Sequence, residues 1–224
     1  MIAKLLLQNL IWVAGMGALL FVTAGTWHWP AAWLLLATMM ILGLAGGLWF
    51  AKTDPALLAE RMRPMMQEDQ PAADKKFILV FGFTALLWVI VIGLDRRLHG
   101  SDMPLALPAL GFVLLLSSFA FIVWVMRENS FAVPVVKVQA ERGHRVIDTG
   151  PYAWLRHPMY TGAVLYCVAI ALLLGSWWGL AMAPLFLVLF AVRAGIEERA
   201  LTAGLSGYAD YVARVRYRLV PGIW

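Results

Sequence analysis

Charge is what this 224-residue chain has least of: Asp, Glu, Lys and Arg make up 14% of it, against 62% hydrophobic residues, with a mean hydropathy of +0.77. Soluble chains carry roughly 25% charged residues, so a soluble globular protein is excluded and lipid must solvate most of the surface. Cysteine is nearly absent. The single Cys167 lies in an apolar run, which excludes an internal disulfide framework and a Cys-based zinc site and leaves a small buried hydrophobe. Metal signatures are missing too: His28, His99, His144 and His157 are not at ligand spacing and no His-Glu-x-x-His occurs. Nor is there a Walker loop, a Gly-x-Ser-x-Gly elbow or a glycine fingerprint after a strand, so hydrolase and ATPase readings fall away. The formal charge of +5 and pI near 9.6 do not point to nucleic acid, because the basic residues are scattered between apolar runs.

What the chain does have is apolar runs of membrane-spanning length, about 20 residues each. Leu5–Thr26 follows Lys4 and lacks a small-residue cleavage site, so it reads as a retained helix and not a signal peptide. A Trp27-His28-Trp29-Pro30 turn leads into a second run, Ala31–Ala51; Phe77–Leu94 and Pro104–Met126 supply a third and fourth. Met159–Gly175 and Trp177–Val192 form a final antiparallel pair whose arms reach only about 25 Å at 1.5 Å per residue, slightly short of a ~30 Å hydrocarbon core. The expected fold is an all-α integral membrane protein of about six transmembrane helices, or five full spans if the last hairpin is only partly inserted. Residues 1–126 form a four-helix membrane region with a polar loop at 52–76; residues 127–224 hold a polar loop, the hairpin 159–192 and an amphipathic tail. Within 52–76, Pro55 opens a stretch with Leu57, Leu58 and Met62 on one side, which suits a short interfacial helix and a solvated loop equally.

Basic residues fix the expected orientation, since Lys and Arg bias sets topology. Sixteen of the eighteen fall on the side of Lys4, the 52–76 loop, the 127–156 loop and the tail, and only Arg96 and Arg97 on the other. Both termini are therefore expected in the cytoplasm, with both long polar segments facing the same compartment. A bacterial cytoplasmic (inner) membrane and a eukaryotic endoplasmic-reticulum membrane fit this pattern equally well, and the lack of a visible retention or sorting signal at the C-terminus leans to the bacterial one.

Chemistry-bearing residues concentrate on that side. Gly143, Gly150, Pro151 and Pro158 bend the 127–160 segment repeatedly, as a ligand-wrapping loop would. Pro158 suits the first position of the fifth helix with His157 at its N-cap, so free backbone N–H groups gather beside Arg156 and His157; a simple interfacial anchor is the competing reading. Arg193 and Glu197 share a helical face, which also suits an ordinary i,i+4 ion pair, while Glu198 points about a hundred degrees away. Because the hairpin is antiparallel, Tyr160 and Arg193 lie at one level, and Arg156-His157 must approach Glu197-Glu198. The tail, with Tyr208, Tyr211, Arg214, Arg216 and Arg218, reads as an amphipathic segment on the membrane surface.

Gly150-Pro151-Tyr152, Arg156-His157-Pro158-Met159-Tyr160-x-Gly162, Arg193-x-x-x-Glu197-Glu198 and Tyr208-x-x-Tyr211 together resemble the isoprenylcysteine carboxyl methyltransferase family, related to the phospholipid N-methyltransferases. The likeness runs from about Asn129 to Pro221, and the order of the pieces around an apolar hairpin makes it specific. It implies an integral-membrane methyltransferase that takes S-adenosyl-L-methionine from the cytoplasm without a Rossmann domain. By position, Gln139, His144, Arg145, Val146, Ile147, Tyr152, His157, Pro158, Met159 and Tyr160 would wrap the cofactor, and Glu197 would hold its ammonium. Arg193 would be the catalytic residue beside the substrate's reactive group, with Arg156 and Glu198 accessory. The implied partner is a lipophilic, isoprenylcysteine-like carboxylate entering from the bilayer, with a phospholipid amine or a small thiol as the alternative acceptor. A small transporter fits less well, since transporters place polar residues at mid-membrane depth and these spans are almost charge-free.

Overall fold

The computed structural model describes residues 1–68 and 70–224; Asp69, one of the acidic residues of the 52–76 loop, lies outside them. The chain opens with an apolar hairpin, α1 (Ile2–Ala24) and α2 (Pro30–Thr53). Gly25 ends α1 in the left-handed region at φ 66°, and Pro30 begins α2 at its first position. A short α3 (Pro55–Arg61) follows, capped by Asp54, whose side chain accepts the Leu57 N–H at 2.9 Å. Its apolar side turns inward, Leu57, Leu58 and Met62 packing with Leu5, Phe50 and Met126. Of the two readings of this segment, the structure has the helix.

Next come α4 (Ala72–Leu98) and α5 (Ala106–Glu128), then α6 (Pro158–Leu173), the short α7 (Trp177–Ala181), α8 (Ala183–Gly204) and α9 (Tyr208–Arg214). Five segments are long and apolar enough to cross a membrane: α1, α2, α4, α5 and the α7–α8 run from Trp177 to Gly204. The sixth, α6, has 16 residues and so about 24 Å of length. The last hairpin is thus unequal, one short arm against one long arm that continues twelve residues past Val192 as helix. Charges do not end α8 because Arg193, Glu197 and Glu198 all find partners off the helix.

The core is a seam of Leu20, Phe21, Leu35, Trp88, Ile92 and Phe186, while Leu7, Ile11, Trp12, Ile41, Phe83 and Val113 point outward, as lipid solvation requires. At the end of the bundle away from the long polar loops, one carboxylate gathers three segments. Asp95, buried near the end of α4, accepts hydrogen bonds from Ser101 (2.6 Å) and Ser176 (2.5 Å); Ser176 caps α7, and Ser101 accepts the Trp177 N–H. This pins the hairpin's turn to the α4–α5 connection.

Close approach of α5 and α6 depends on glycine. A Cβ at Gly111 would lie 2.3 Å from the Leu173 backbone nitrogen, and one at Gly162 would lie 2.7 Å from the Ile122 side chain. Gly111→Ala is expected to cost about 1–3 kcal/mol, as overpacking against a backbone does, seen as a lowered unfolding midpoint in detergent. Gly82→Ala, where nothing lies within 4 Å of the added methyl, should show no such drop.

Candidate active site

A cleft opens where the 129–157 loop, the start of α6, the end of α8 and α9 meet. It measures about 740 Å³ counted to its open mouth. Its walls carry Phe131, His144, Val146, Tyr152, His157, Tyr160 and Glu197, closed on the far side by Leu201, Leu205, Tyr208 and Tyr211.

His157 organises one wall. It precedes Pro158 at the N-cap of α6, which fixes its backbone while leaving its ring free to turn toward α8. Its Nε2 lies 3.1 Å from Glu198 Oε1 and its Nδ1 lies 3.3 Å from Glu197 Oε2, so a protonated ring donates to both carboxylates. Burial opposes the charged ring, but the bonds to Glu197 and Glu198 outweigh it and raise the His157 pKa above its ordinary 6.5. Tyr160, one turn further along α6, stacks on His157 at 5.4 Å between ring centres and donates its hydroxyl to Glu197 Oε2 at 2.5 Å. No hydrogen bond among the described residues uses Glu197 Oε1, and this side chain keeps 30% of its exposure. One oxygen is therefore fixed by the protein while the other remains available at the cleft wall.

Glu198 is held more completely. Arg156 Nη1 reaches its Oε1 at 3.1 Å, and Arg218 brings Nη2 to Oε2 at 2.9 Å. Arg218 gets there because the tail runs back along the loop: Arg156 N–H donates to the Tyr217 carbonyl and His157 N–H to the Arg218 carbonyl, both at 2.9 Å. Thr161 donates to the Leu219 carbonyl at 2.6 Å. Tyr211, buried, donates to the Tyr152 carbonyl at 2.8 Å. The tail docks on the loop and closes the cleft, its Tyr208 and Tyr211 burying against the protein.

The opposite wall is built by stacking. Phe131 and His144 lie face to face at 4.4 Å, with the Arg142 guanidinium 5.4 Å from the Phe131 ring centre. Burial lowers the His144 pKa, against the pull of Glu197, and its Nδ1 accepts the Gln139 N–H at 3.3 Å, as a neutral ring can.

Nine of the residues expected around a cofactor line the cleft: His144, Arg145, Val146, Ile147, Tyr152, His157, Met159, Tyr160 and Glu197; Arg156 joins them. Gln139 and Pro158 do not. Gln139 is fully buried behind the wall, donating to the Phe131 carbonyl and accepting from Arg142. Glu198 sits behind His157. Arg193 also lies outside the lining: its Nε donates to Asp74 at 3.1 Å and its Nη2 to the Pro134 carbonyl, with its guanidinium over the Phe77 and Tyr160 rings. Its partner is thus Asp74, not Glu197, and it stands one aromatic ring away from the cleft. Asp74 is fully buried at the start of α4 and also accepts from Gln70 (2.6 Å) and the Val136 N–H (2.8 Å).

Sequence reasoning missed Asn129, Phe131, Lys137, Tyr208 and Tyr211 in the lining. The Tyr-x-x-Tyr spacing was visible; its direction was not, since a surface helix and a helix packed on a loop share that pattern.

The sign of the pH dependence follows from His157. A raised pKa in the folded protein contributes stability that is full below about 6.5, the unfolded value, and is lost as pH climbs through the folded value. Thermal unfolding followed from pH 6 upward should therefore show a decline that His157→Gln flattens. An unchanged slope in that variant would mean that the ring does not carry the linkage.

Residues 107–206 match the family model described as phospholipid methyltransferase, a stretch from α5 to just past α8 that covers somewhat under half of the chain. No curated protein matches the chain. Over that stretch, set among its apolar helices, the chain is similar to phospholipid methyltransferases.

Proposed function

We propose that this chain is an S-adenosylmethionine-dependent methyltransferase that methylates a lipophilic acceptor arriving from the bilayer, with its cleft toward the cytoplasm. The observation that carries the reading is the state of Glu197. His157 and Tyr160 hold one of its oxygens and leave the other facing the cleft, as a fixed acceptor for the ammonium of an amino-acid group. The donor set fits this cofactor further: the Phe131 and His144 rings offer a flat wall for a planar base, and Val146, Ile147, Leu201 and Leu205 an apolar lining. A cleft of about 740 Å³ counted to its mouth has room for a ligand of nucleoside size. When bound, the cofactor supplies a methyl group activated by a sulfonium. The protein's contribution is to hold acceptor and methyl in line, which can lower the barrier by several kcal/mol.

For the acceptor, a carboxylate such as that of an isoprenylcysteine-like lipid agrees best with the proton inventory. An amine must lose a proton before or during attack, but His157 has both ring nitrogens on carboxylates and Glu198 is occupied by Arg156, His157 and Arg218. A carboxylate of pKa about 4 is already ionised at neutral pH and needs no base. Arg193, fixed by Asp74 behind Tyr160, would bias that carboxylate's approach through the aromatic ring. The second reading, a phospholipid amine, is favoured by the description of the matched family.

Purified protein should bind S-adenosylhomocysteine in calorimetry, and Glu197→Ala should weaken that binding about tenfold or more, as loss of a charge-assisted hydrogen bond does. No binding by the parent, or undiminished binding by the variant, removes the proposed site. Methyl transfer to a prenylated thiol acid and to an ethanolamine lipid should then favour the acid, and Arg193→Lys should reduce that rate. Preferential transfer to the amine would establish the second reading.

A further inference from the structure

Two polar atoms at the cleft are buried without any partner among the described residues: the Tyr208 hydroxyl and the Arg156 Nε. Both residues line the cleft. Tyr208 is 96% buried, since only 4% of its surface is exposed. Leaving such a group unpaired is costly, so the fold retains these atoms for a reason that its own contacts do not supply. The donors beside them are engaged. Arg156 commits Nη1 to Glu198 and Nη2 to the Arg216 carbonyl; Tyr211, three residues along α9, donates to the Tyr152 carbonyl. The neighbourhood is mixed in charge: burial raises the Tyr208 pKa first, and Glu197 and Glu198 raise it further against the pull of Arg156. Tyr208 is thus a neutral donor that senses the carboxylate of Glu197 and the guanidinium of Arg156 together.

An α-amino-acid group demands such a neighbourhood. Its ammonium and carboxylate sit on one carbon, so a site for it must set an acceptor and donors side by side. Glu197 Oε1 is the acceptor. We infer that the Tyr208 hydroxyl and the Arg156 Nε are the donors that bind the carboxylate of the cofactor's amino-acid end, making the tail helix α9 part of the cofactor site. The inference rests on the methyltransferase reading above and adds to it a residue beyond the matched stretch, which ends at 206. It also gives the cofactor a direction in the cleft, amino-acid end toward α9 and base toward Phe131 and His144.

The test compares two ligands, S-adenosylhomocysteine and its decarboxylated analogue, on the full-length protein in detergent. Tyr208→Phe should weaken S-adenosylhomocysteine about tenfold, as loss of a hydrogen bond to a charged group does, and leave the analogue's affinity unchanged. Arg156→Lys, which keeps a positive charge for Glu198 but removes the Nε donor, should show the same selective loss. Equal weakening of both ligands in both variants would mean a structural role only, and unchanged binding of both would mean no contact; either overturns the inference while leaving the methyltransferase reading intact. Failure of the parent protein to bind either ligand would overturn both.

Discussion

The pairing of Glu198 with Arg156, His157 and Arg218 is the interaction on which the rest of this site depends. It joins three places far apart in the chain: the loop before α6, the C-terminal part of α8 and the tail. A carboxylate that is largely withdrawn from water is costly unless charge and hydrogen bonds replace the lost solvent. Here both of its oxygens are occupied by cationic donors. Once Glu198 is fixed, its neighbour on the helix faces another way, so Glu197 shares only His157 with it and turns toward the cleft. His157 connects the two, because one ring nitrogen serves the structural carboxylate and the other orients the carboxylate proposed to meet ligand. Separation of roles between adjacent glutamates thus follows from the hundred-degree step between successive helical residues.

A second polar assembly supports the first from below. Asp74, at the start of α4, binds Arg193 of α8 and the Val136 N–H of the loop, while Lys137 reaches Glu60 on α3 at 2.7 Å and Arg61 donates to the Ala132 carbonyl. The segment 132–137 is therefore tethered by the N-terminal half of the protein, although the family match begins only at residue 107. The same segment carries residues of the cleft wall, Val133 and Val135 among them. The first four long helices consequently do more than anchor the chain in lipid: through α3 and the start of α4 they set the backbone on which the ligand wall is built.

How much of this was legible in the sequence differs by the kind of signal. The spans were readable because lipid solvation imposes a long uninterrupted run, and the approach of Arg156-His157 to Glu197-Glu198 followed from an antiparallel hairpin with a tight turn. Cleft-lining residues from His144 to Tyr160 were legible through the resemblance and the bends at Gly143, Gly150 and Pro158. Partner choice was not. Arg193 has a carboxylate four residues away on its own helix, yet pairs with Asp74 from 119 positions earlier, and nothing in local spacing encodes a contact made by the packing of α4 on α8. Tyr208 and Tyr211 were equally opaque, since a tyrosine with one apolar and one polar end satisfies both a lipid interface and a protein wall.

The short arm of the hairpin explains why the ionic cluster is so fully paired. Trp177 and Trp178, both exposed at the Asp95-anchored turn, mark the kind of position that aromatic side chains take at a membrane interface. From there α6 runs back about 24 Å against a hydrocarbon core of ~30 Å, so its start at Pro158 falls roughly 6 Å short of the far boundary. Arg156, His157 and the two glutamates therefore stand at the end of a helix shorter than the hydrocarbon core is thick, where an unpaired charge is expensive. A sixth helix of full length would lift the same residues toward water and weaken their need for one another. The shortness of α6, together with the tail that covers its N-terminus, thus accounts for a cluster in which each carboxylate is met by donors from other segments.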